Sequence, residues 1–198
     1  MRNFLIFLGL CAMFTTISAQ DIELPQPVKT GGMPLMDALS NRKSDRSFKT
    51  EKIDEQTLSN LLWAAWGYNR PDKRTAPSGN NKQEIELYVV LESAAYRYDT
   101  EANKLVLVNK SDVRTSVGKQ DYVYTAPVNI VFVADNTKSD GIMTSAYISQ
   151  NIYLFCASEG LGTVARGWFD ADNVRKALNL KESQTPVLTQ TVGKILAE

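Results

Sequence analysis

Five consecutive residues, Arg42-Lys43-Ser44-Asp45-Arg46, combine three cations with a hydroxyl group. Two guanidinium groups can hold a phosphate dianion through paired, charge-assisted hydrogen bonds, and a serine hydroxyl adds a neutral hydrogen bond. If this segment is helical, its two arginines lie one turn apart on the same helix face. The segment therefore predicts a phosphate site, and a solvated basic face with an internal carboxylate partner is the alternative.

A second polar segment lies in the loop of residues 70–84, which has no hydrophobic period and is rich in turn-forming residues. Asn80, Asn81 and Gln83 carry amide groups that offer both hydrogen-bond donors and acceptors. A flavin pyrimidine edge, which alternates carbonyl oxygens with N–H, requires such a mixed set, and Gly79 permits close approach of a flat ligand. A polar surface turn is the alternative.

A third segment, Gly160-Leu161-Gly162-Thr163, follows a predicted helix and precedes Ala165, Arg166 and Gly167. It lacks the strand, Gly-x-Gly-x-x-Gly and helix order of a dinucleotide site. By itself, this segment indicates only the end of a helix.

The composition excludes several kinds of chemistry. The sequence contains no histidine, which rules out Ser-His-Asp and Cys-His catalysis and His-ligated metal sites, and we expect no metal. Its 22 Lys and Arg balance its 22 Asp and Glu, so net charge does not favour nucleic acid as a partner. Chemistry supplied by an organic cofactor stays compatible with the sequence.

Residues 1–19 have the layout of a secretory signal peptide: Arg2, an apolar run over residues 4–17, then Ser18 and Ala19. We expect cleavage after Ala19 and export to the periplasm or the extracellular space. The apolar run is shorter than the roughly 20 residues of a membrane span, so no span is expected after cleavage. A retained anchor and a lipoprotein modified at Cys11 are the alternatives. In the mature chain, Cys156 is then the sole cysteine, and its apolar helical surroundings predict a buried, inert thiol.

The remaining chain reads as an extended lead-in over residues 20–33 and one domain over residues 34–198. Hydrophobic periodicity predicts helices over residues 33–41, 54–68, 139–159 and 170–178, with Ile142 and Ala146 on the inner side of the third. Strands are predicted over residues 85–91, 95–98, 104–108, 128–134, 163–168 and 186–192. The mixed order indicates an α+β fold, with a mostly antiparallel central sheet flanked by helices.

In their order along the chain, these segments resemble the nitroreductase family of FMN-dependent oxidoreductases. Residues 42–48 resemble the family's Arg-Arg-Ser-x-Arg-x-Phe, and residues 76–83 its Ala-Pro-Ser-x-x-Asn-x-Gln. Residues 160–163 resemble its Gly-Leu-Gly-Thr, and residues 190–193 its closing strand. Residues 95–108 are similar to the branch that includes thiazole- and oxazole-forming dehydrogenases. The resemblance covers roughly residues 35–194.

The resemblance implies ping-pong hydride transfer through flavin N5, with a small-molecule substrate and an obligate homodimer that binds FMN at its interface. It implies that Asn81 faces the isoalloxazine. Lys194 is the candidate for a late cation at the phosphate, and Lys82 and Arg166 are candidates for stabilising the reduced flavin. The FMN-binding positions it implies are Arg42, Lys43, Ser44, Arg46, Pro77, Ser78, Asn80, Asn81, Gln83, Ala165, Arg166, Gly167 and Lys194.

Export bears on the electron donor. Nicotinamide cofactors are scarce outside the cytoplasm, which argues against NAD(P)H as the physiological donor even though it fits the family's chemistry. An exported FMN-binding or electron-relay protein without substrate turnover is the main alternative function, and a scaffold that has lost its flavin is a further one.

Overall fold

The computed structural model describes residues 19–196. The predicted signal segment covers residues 1–19, of which residues 1–18 lie outside the described residues, and its cleavage stays a prediction. Among residues 19–196, no helix is both long and apolar enough to cross a bilayer. The helices are α1 Leu35–Asn41, α2 Glu55–Trp66, α3 Tyr122–Thr125, α4 Ile142–Glu159 and α5 Ala171–Ala177. The strands are β1 Ile22–Glu23, β2 Tyr68–Arg70, β3 Lys73–Arg74, β4 Ile85–Val90, β5 Ala95–Asp99, β6 Lys104–Asn109, β7 Val128–Asp135, β8 Leu161–Arg166 and β9 Gln184–Lys194.

Seven strands form one sheet in the order β1-β6-β5-β4-β7-β9-β8, and each neighbouring pair is antiparallel. Strand β7 lies in the middle, between β4 and β9, and seven of its eight residues are buried. The strand predicted over residues 128–134 is therefore present, and its apolar run is typical of a central strand covered on both faces. The α+β class and the antiparallel sheet are confirmed as well.

The alternating side chains of the sheet divide between two cores. Leu87, Ile130 and Phe132 point to one face and pack beneath α2 and α4. Val131 and Val133 point to the other face and pack against α5 and the segment around Val117. Both faces of the sheet are thus covered. Strand β8 lies at one edge of the sheet, and the chain that follows α1 runs beside it.

Helix ends follow the local sequence signals. Asp54 accepts a hydrogen bond from the Thr57 amide and caps α2, and Asp170 accepts from two amides in the first turn of α5. Gly160 adopts a left-handed conformation at φ 67° and ends α4, as the sequence predicts.

Helix α4 departs from its predicted polarity. Ile142 and Ala146 were expected on the inner side but are exposed, whereas Thr144, Ser145 and Ser149 are buried with Ile148 and Ile152. Apolar side chains lie on every side of this helix and polar ones lie on its buried side, so periodicity alone could not identify its inner face. Its outer side consequently presents hydrophobic side chains to solvent.

Candidate functional site

Residues 42–46 are extended and not helical, so the arrangement of the two arginines one turn apart, which would have required a helix, does not occur. Helix α1 ends at Asn41, and Arg42 already has φ −59° and ψ 122°. The Asp45 amide donates to the Thr163 carbonyl at 3.0 Å, and Phe48 forms a bridge with Ile195. The unpaired edge of β8 therefore holds this segment extended by offering it hydrogen-bond partners.

The side chains of this segment differ in how they are engaged. Arg42 is half-buried, and its guanidinium carbon lies 5.2 Å from the centre of the Tyr153 ring. Lys43 is exposed and pairs with Asp45 at 3.2 Å. Arg46 is exposed. Within residues 19–196, the two arginines form no ion pair, so their donors stay available to an anion.

Tyr153 on α4 connects two of the predicted segments. Its hydroxyl lies 2.9 Å from the Ser44 hydroxyl and accepts a hydrogen bond from the Ala165 amide, also at 2.9 Å. No sequence motif indicated Tyr153, because its role depends on contacts with residues more than ten positions away in either direction.

The loop that carries the amides has an unusual backbone. Asn80, Asn81 and Gln83 all adopt left-handed conformations, with φ of 50°, 56° and 47°. Such conformations are rare outside glycine, and clusters of them occur at functional sites. The Ser78 hydroxyl accepts a hydrogen bond from the Gln83 amide and helps to fix the turn. Pro77, which opens the turn, is exposed.

Internal hydrogen bonds use most of the loop's amide groups. Asn81 and Gln83 both donate to the Asp72 carbonyl oxygen, at 3.1 and 2.8 Å, and Gln83 also donates to the Asn81 side chain. Asn80 is exposed, and its side chain has no hydrogen-bond partner in the described part of the chain. Asn80 is thus the amide most available to a ligand, although the resemblance placed Asn81 in that role.

Arg74, which the sequence did not indicate, binds the amide loop through its guanidinium group. It donates to the Gln83 side-chain oxygen at 2.8 Å and to the Trp66 carbonyl at 3.1 Å. Its guanidinium also stacks 3.9 Å from the centre of the Tyr68 ring. Burial lowers the pKa of Arg74 from its ordinary value. The β2–β3 hairpin therefore holds the amide loop in place.

Arg166 points away from the surface that Ala165 lines. It is 4% exposed, and it donates to the Val117 carbonyl and to the Asn129 side chain at 3.2 and 2.9 Å. Burial lowers its pKa to about 10. Because successive strand residues face opposite sides of the sheet, its guanidinium lies in the core and is not positioned to contact a ligand beside Ala165. The adjacent Gly167 is exposed, and a Cβ added there would meet no atom within 4 Å.

Lys194 and Lys82, the other two lysines assigned to the cofactor, also have protein partners. Lys194 forms an ion pair with Glu51, which lowers the pKa of that carboxyl group. Lys82 donates to the Lys138 carbonyl oxygen at 2.7 Å. Both side chains lie at the surface, so ligand binding could redirect either of them.

Helix α4 relates the two halves of the site. The amide loop meets its first turn, where buried Glu84 accepts a hydrogen bond from Thr144 at 2.6 Å. The cation segment meets the helix nine residues later, at Tyr153. Nine residues are two and a half helical turns, so the two contacts lie about 14 Å apart along the axis and on opposite sides of the helix. The arginine segment offers donors for a phosphate, and the amide loop offers donors and acceptors for a heterocycle, so the residues present fit the two chemical parts of FMN.

The cysteine and the acidic side chains of residues 19–196 form neither a reactive thiol site nor a metal site. Cys156 is buried, and burial raises the pKa of its thiol well above the ordinary range, which agrees with the predicted inert thiol. Among residues 19–196, no three acidic or cysteine side chains converge as metal ligands would.

An antiparallel sheet between helical layers, with an arginine segment and an amide loop that both contact α4, has the donor groups that an FMN-dependent α+β oxidoreductase needs. The nitroreductase family model matches residues 39–194, and the chain belongs to this family. A Methanocaldococcus jannaschii protein assigned as a nitroreductase is 28% identical over 88% of this chain and 96% of its own length.

Solved structures agree with this assignment. The crystal structure of a Ralstonia eutropha protein assigned as a nitroreductase is 38% identical, with a TM-score of 0.84 and 92% of each chain covered. An FMN-dependent nitroreductase of Clostridium difficile is 25% identical, with a TM-score of 0.60 and coverage of 82% of this chain and 88% of its own.

Proposed function

We propose that this FMN-dependent oxidoreductase works by a ping-pong cycle, in which one small molecule delivers a hydride and a second small organic molecule removes it. The observation that carries this proposal is the presence, beside α4, of two arginines without an ion-pair partner among the described residues and of an amide loop with left-handed backbone. When bound, FMN supplies the hydride chemistry at its N5 atom.

The residues of this chain bind and orient that cofactor. Arg42 and Arg46 hold the phosphate through guanidinium hydrogen bonds, and the Ser44 hydroxyl adds a further donor. Asn80 offers its amide to the pyrimidine edge, while Asn81 and Gln83 maintain the loop conformation. Lys82, beside the loop, favours negative charge on the reduced ring.

The active form is proposed to be a homodimer with FMN at the subunit interface. Large hydrophobic side chains are exposed on both α1 and α4, which is unusual for a monomer surface. Their exposed fractions range from 44% to 74%, for Leu35, Met36, Leu39, Ile142, Met143 and Tyr147. A second copy of the chain would remove this apolar surface from water.

Dimerisation can be tested by adding a charge on the outer side of α4. Met143→Lys should shift the protein from dimer to monomer in size-exclusion chromatography with light scattering, because the charge would be buried at the interface. Asn173→Lys adds the same charge at an exposed position of α5 and should leave the dimer intact. A dimeric Met143→Lys protein, or a monomeric wild type, would contradict the proposed interface.

Export is proposed from the sequence of residues 1–19, and it implies an electron donor other than NAD(P)H. Expression of the full chain followed by fractionation and N-terminal sequencing tests both cleavage after Ala19 and location. A cytoplasmic protein that retains Met1 would overturn export and would restore NAD(P)H as the expected donor.

The central experiment measures flavin binding and turnover by the purified mature protein. We expect a yellow protein with a flavin absorption spectrum, or apoprotein that takes up added FMN. Under anaerobic conditions, dithionite or a donor should bleach this spectrum, and a quinone or a nitroarene should restore it. Colourless protein that fails to bind FMN would refute the assignment, and bound flavin that no organic acceptor reoxidises would favour an electron relay.

A further inference from the structure

We infer that Tyr153 is a positioning residue for the phosphate half of the site, and that it acts by orienting the hydroxyl of Ser44 and the guanidinium of Arg42. This inference rests on the proposed binding of FMN. Its basis is that one side chain contacts three predicted cofactor residues from two segments of the chain: Arg42, Ser44 and Ala165.

The hydrogen-bond chain has a preferred direction. The Ala165 amide can only donate, and it occupies one acceptor position of the Tyr153 oxygen. The tyrosine hydrogen then has the Ser44 oxygen 2.9 Å away as its acceptor. With its oxygen accepting from the tyrosine, Ser44 can turn its own hydrogen outward, toward the space beside Arg42.

This direction strengthens Ser44 as a donor. Each hydrogen bond in a chain polarises the next, so a serine hydroxyl that accepts from a phenol donates more strongly to a phosphate oxygen. A serine without Tyr153 would rotate freely in solvent, because Ser44 is exposed, and would lose entropy on binding.

The ring of Tyr153 performs a second task. The guanidinium carbon of Arg42 lies 5.2 Å from the ring centre, within the range of a cation–π contact. Arg42 is thereby held beside Ser44 although no carboxylate among the described residues pairs with it. Both phosphate ligands are therefore arranged before any ligand binds.

The test compares FMN with riboflavin, which lacks the phosphate, on apoprotein variants. Tyr153→Phe keeps the ring and removes the hydroxyl, and it should raise the Kd for FMN on the order of ten-fold while leaving the Kd for riboflavin unchanged. Ser44→Ala should give a similar loss, and the double variant should bind FMN no more weakly than Ser44→Ala alone. Tyr88→Phe, a buried tyrosine whose hydroxyl contacts Glu86, is the control and should match wild type.

Three outcomes would overturn the inference: an unchanged FMN Kd in Tyr153→Phe, an equal loss of riboflavin affinity, or fully additive losses in the double variant. The second outcome would mean that Tyr153 shapes the fold or the ring pocket instead of the phosphate site. Failure of the proposed function is distinguishable, because the wild-type apoprotein would then bind neither flavin.

Discussion

Arg42 and Lys43 are neighbours in sequence, but the structure predicts that they differ sharply in their effect on FMN binding. Arg42 is half-buried, stacked on Tyr153 and without a carboxylate partner among the described residues. The Lys43 side chain is 67% exposed and already pairs with Asp45. Replacement of Arg42 should therefore remove organised phosphate hydrogen bonds, whereas replacement of Lys43 should remove only a solvated charge.

The expected magnitudes depend on which kind of interaction each substitution removes. A hydrogen bond to a charged group contributes about 1.5–3 kcal/mol, so Arg42→Met should raise the Kd for FMN roughly 10- to 150-fold. An exposed ion pair contributes at most about 1 kcal/mol, which limits Lys43→Met to roughly five-fold. The same Arg42 change should lower the free energy of unfolding of the apoprotein by only about 0.5–1 kcal/mol, because it removes the cation–π interaction with Tyr153.

Fluorescence quenching of FMN by each apoprotein would give the two Kd values, and urea unfolding would give the stabilities. Arg42→Lys is an informative intermediate, because it keeps the charge but loses the planar guanidinium. Equal Kd values for Arg42→Met and wild type would refute the phosphate assignment. Equal losses for Arg42→Met and Lys43→Met would refute the distinction drawn from the structure.

Three further predictions concern stability. Asp54→Ala should lower the free energy of unfolding by about 1 kcal/mol in urea melts, because it removes the cap of α2. Hydrogen bonds from Thr57 hold the Asp54 pKa below its ordinary value. The stability that the cap contributes should therefore be present above about pH 4 and be lost as the pH falls through the folded-state pKa. Gly118→Ala should lower the free energy of unfolding by several kcal/mol, since its Cβ would overlap Nη1 of buried Arg166. Gly167→Ala is the control, and its free energy of unfolding should stay within about 0.5 kcal/mol of wild type. Equal thermal unfolding temperatures for the two variants would contradict this prediction. Arg74→Met should lower both the free energy of unfolding and the affinity for FMN, because Arg74 holds the Gln83 side chain. A loss of stability with unchanged FMN affinity would mean that the β2–β3 hairpin does not contribute to FMN binding.

The parts of the fold that sequence could predict depend on local signals. Asp54 and Asp170 are capping residues at the start of apolar periodic runs, and β7 is a continuous β-branched and apolar run. Each of these patterns is complete within a few residues, so the element follows from the residues that form it. The antiparallel sheet then follows from the order of elements.

The parts that sequence could not predict depend on contacts between distant segments. Residues 42–46 are extended because the β8 edge, about 120 positions later, offers a carbonyl to the Asp45 amide. Arg166 is buried because the backbone around Val117 and the Asn129 amide receive its guanidinium. Neither partner is recognisable until the sheet has formed.

The amide loop leads to a final prediction, because its two asparagines have separate tasks. Left-handed backbone costs a residue with a side chain on the order of 1 kcal/mol, and less for asparagine. The Asn81 side-chain amide offsets part of this cost through hydrogen bonds with the Asp72 carbonyl and the Gln83 side chain, whereas the Asn80 amide takes part in neither of these hydrogen bonds. Asn80→Gly and Asn81→Gly each remove the amide and leave a residue that tolerates the same φ.

We therefore expect Asn80→Gly to retain wild-type stability and to bind both FMN and riboflavin about five-fold more weakly, the loss of one neutral hydrogen bond to the ring. Asn81→Gly should instead lower the free energy of unfolding by about 1 kcal/mol, because two internal hydrogen bonds disappear. Flavin titrations paired with urea unfolding of the two variants separate these effects. If Asn81→Gly weakens flavin binding while its stability is unchanged, the Asn81 amide contacts the ring directly, and the internal hydrogen bonds of the loop exchange for ligand bonds on binding.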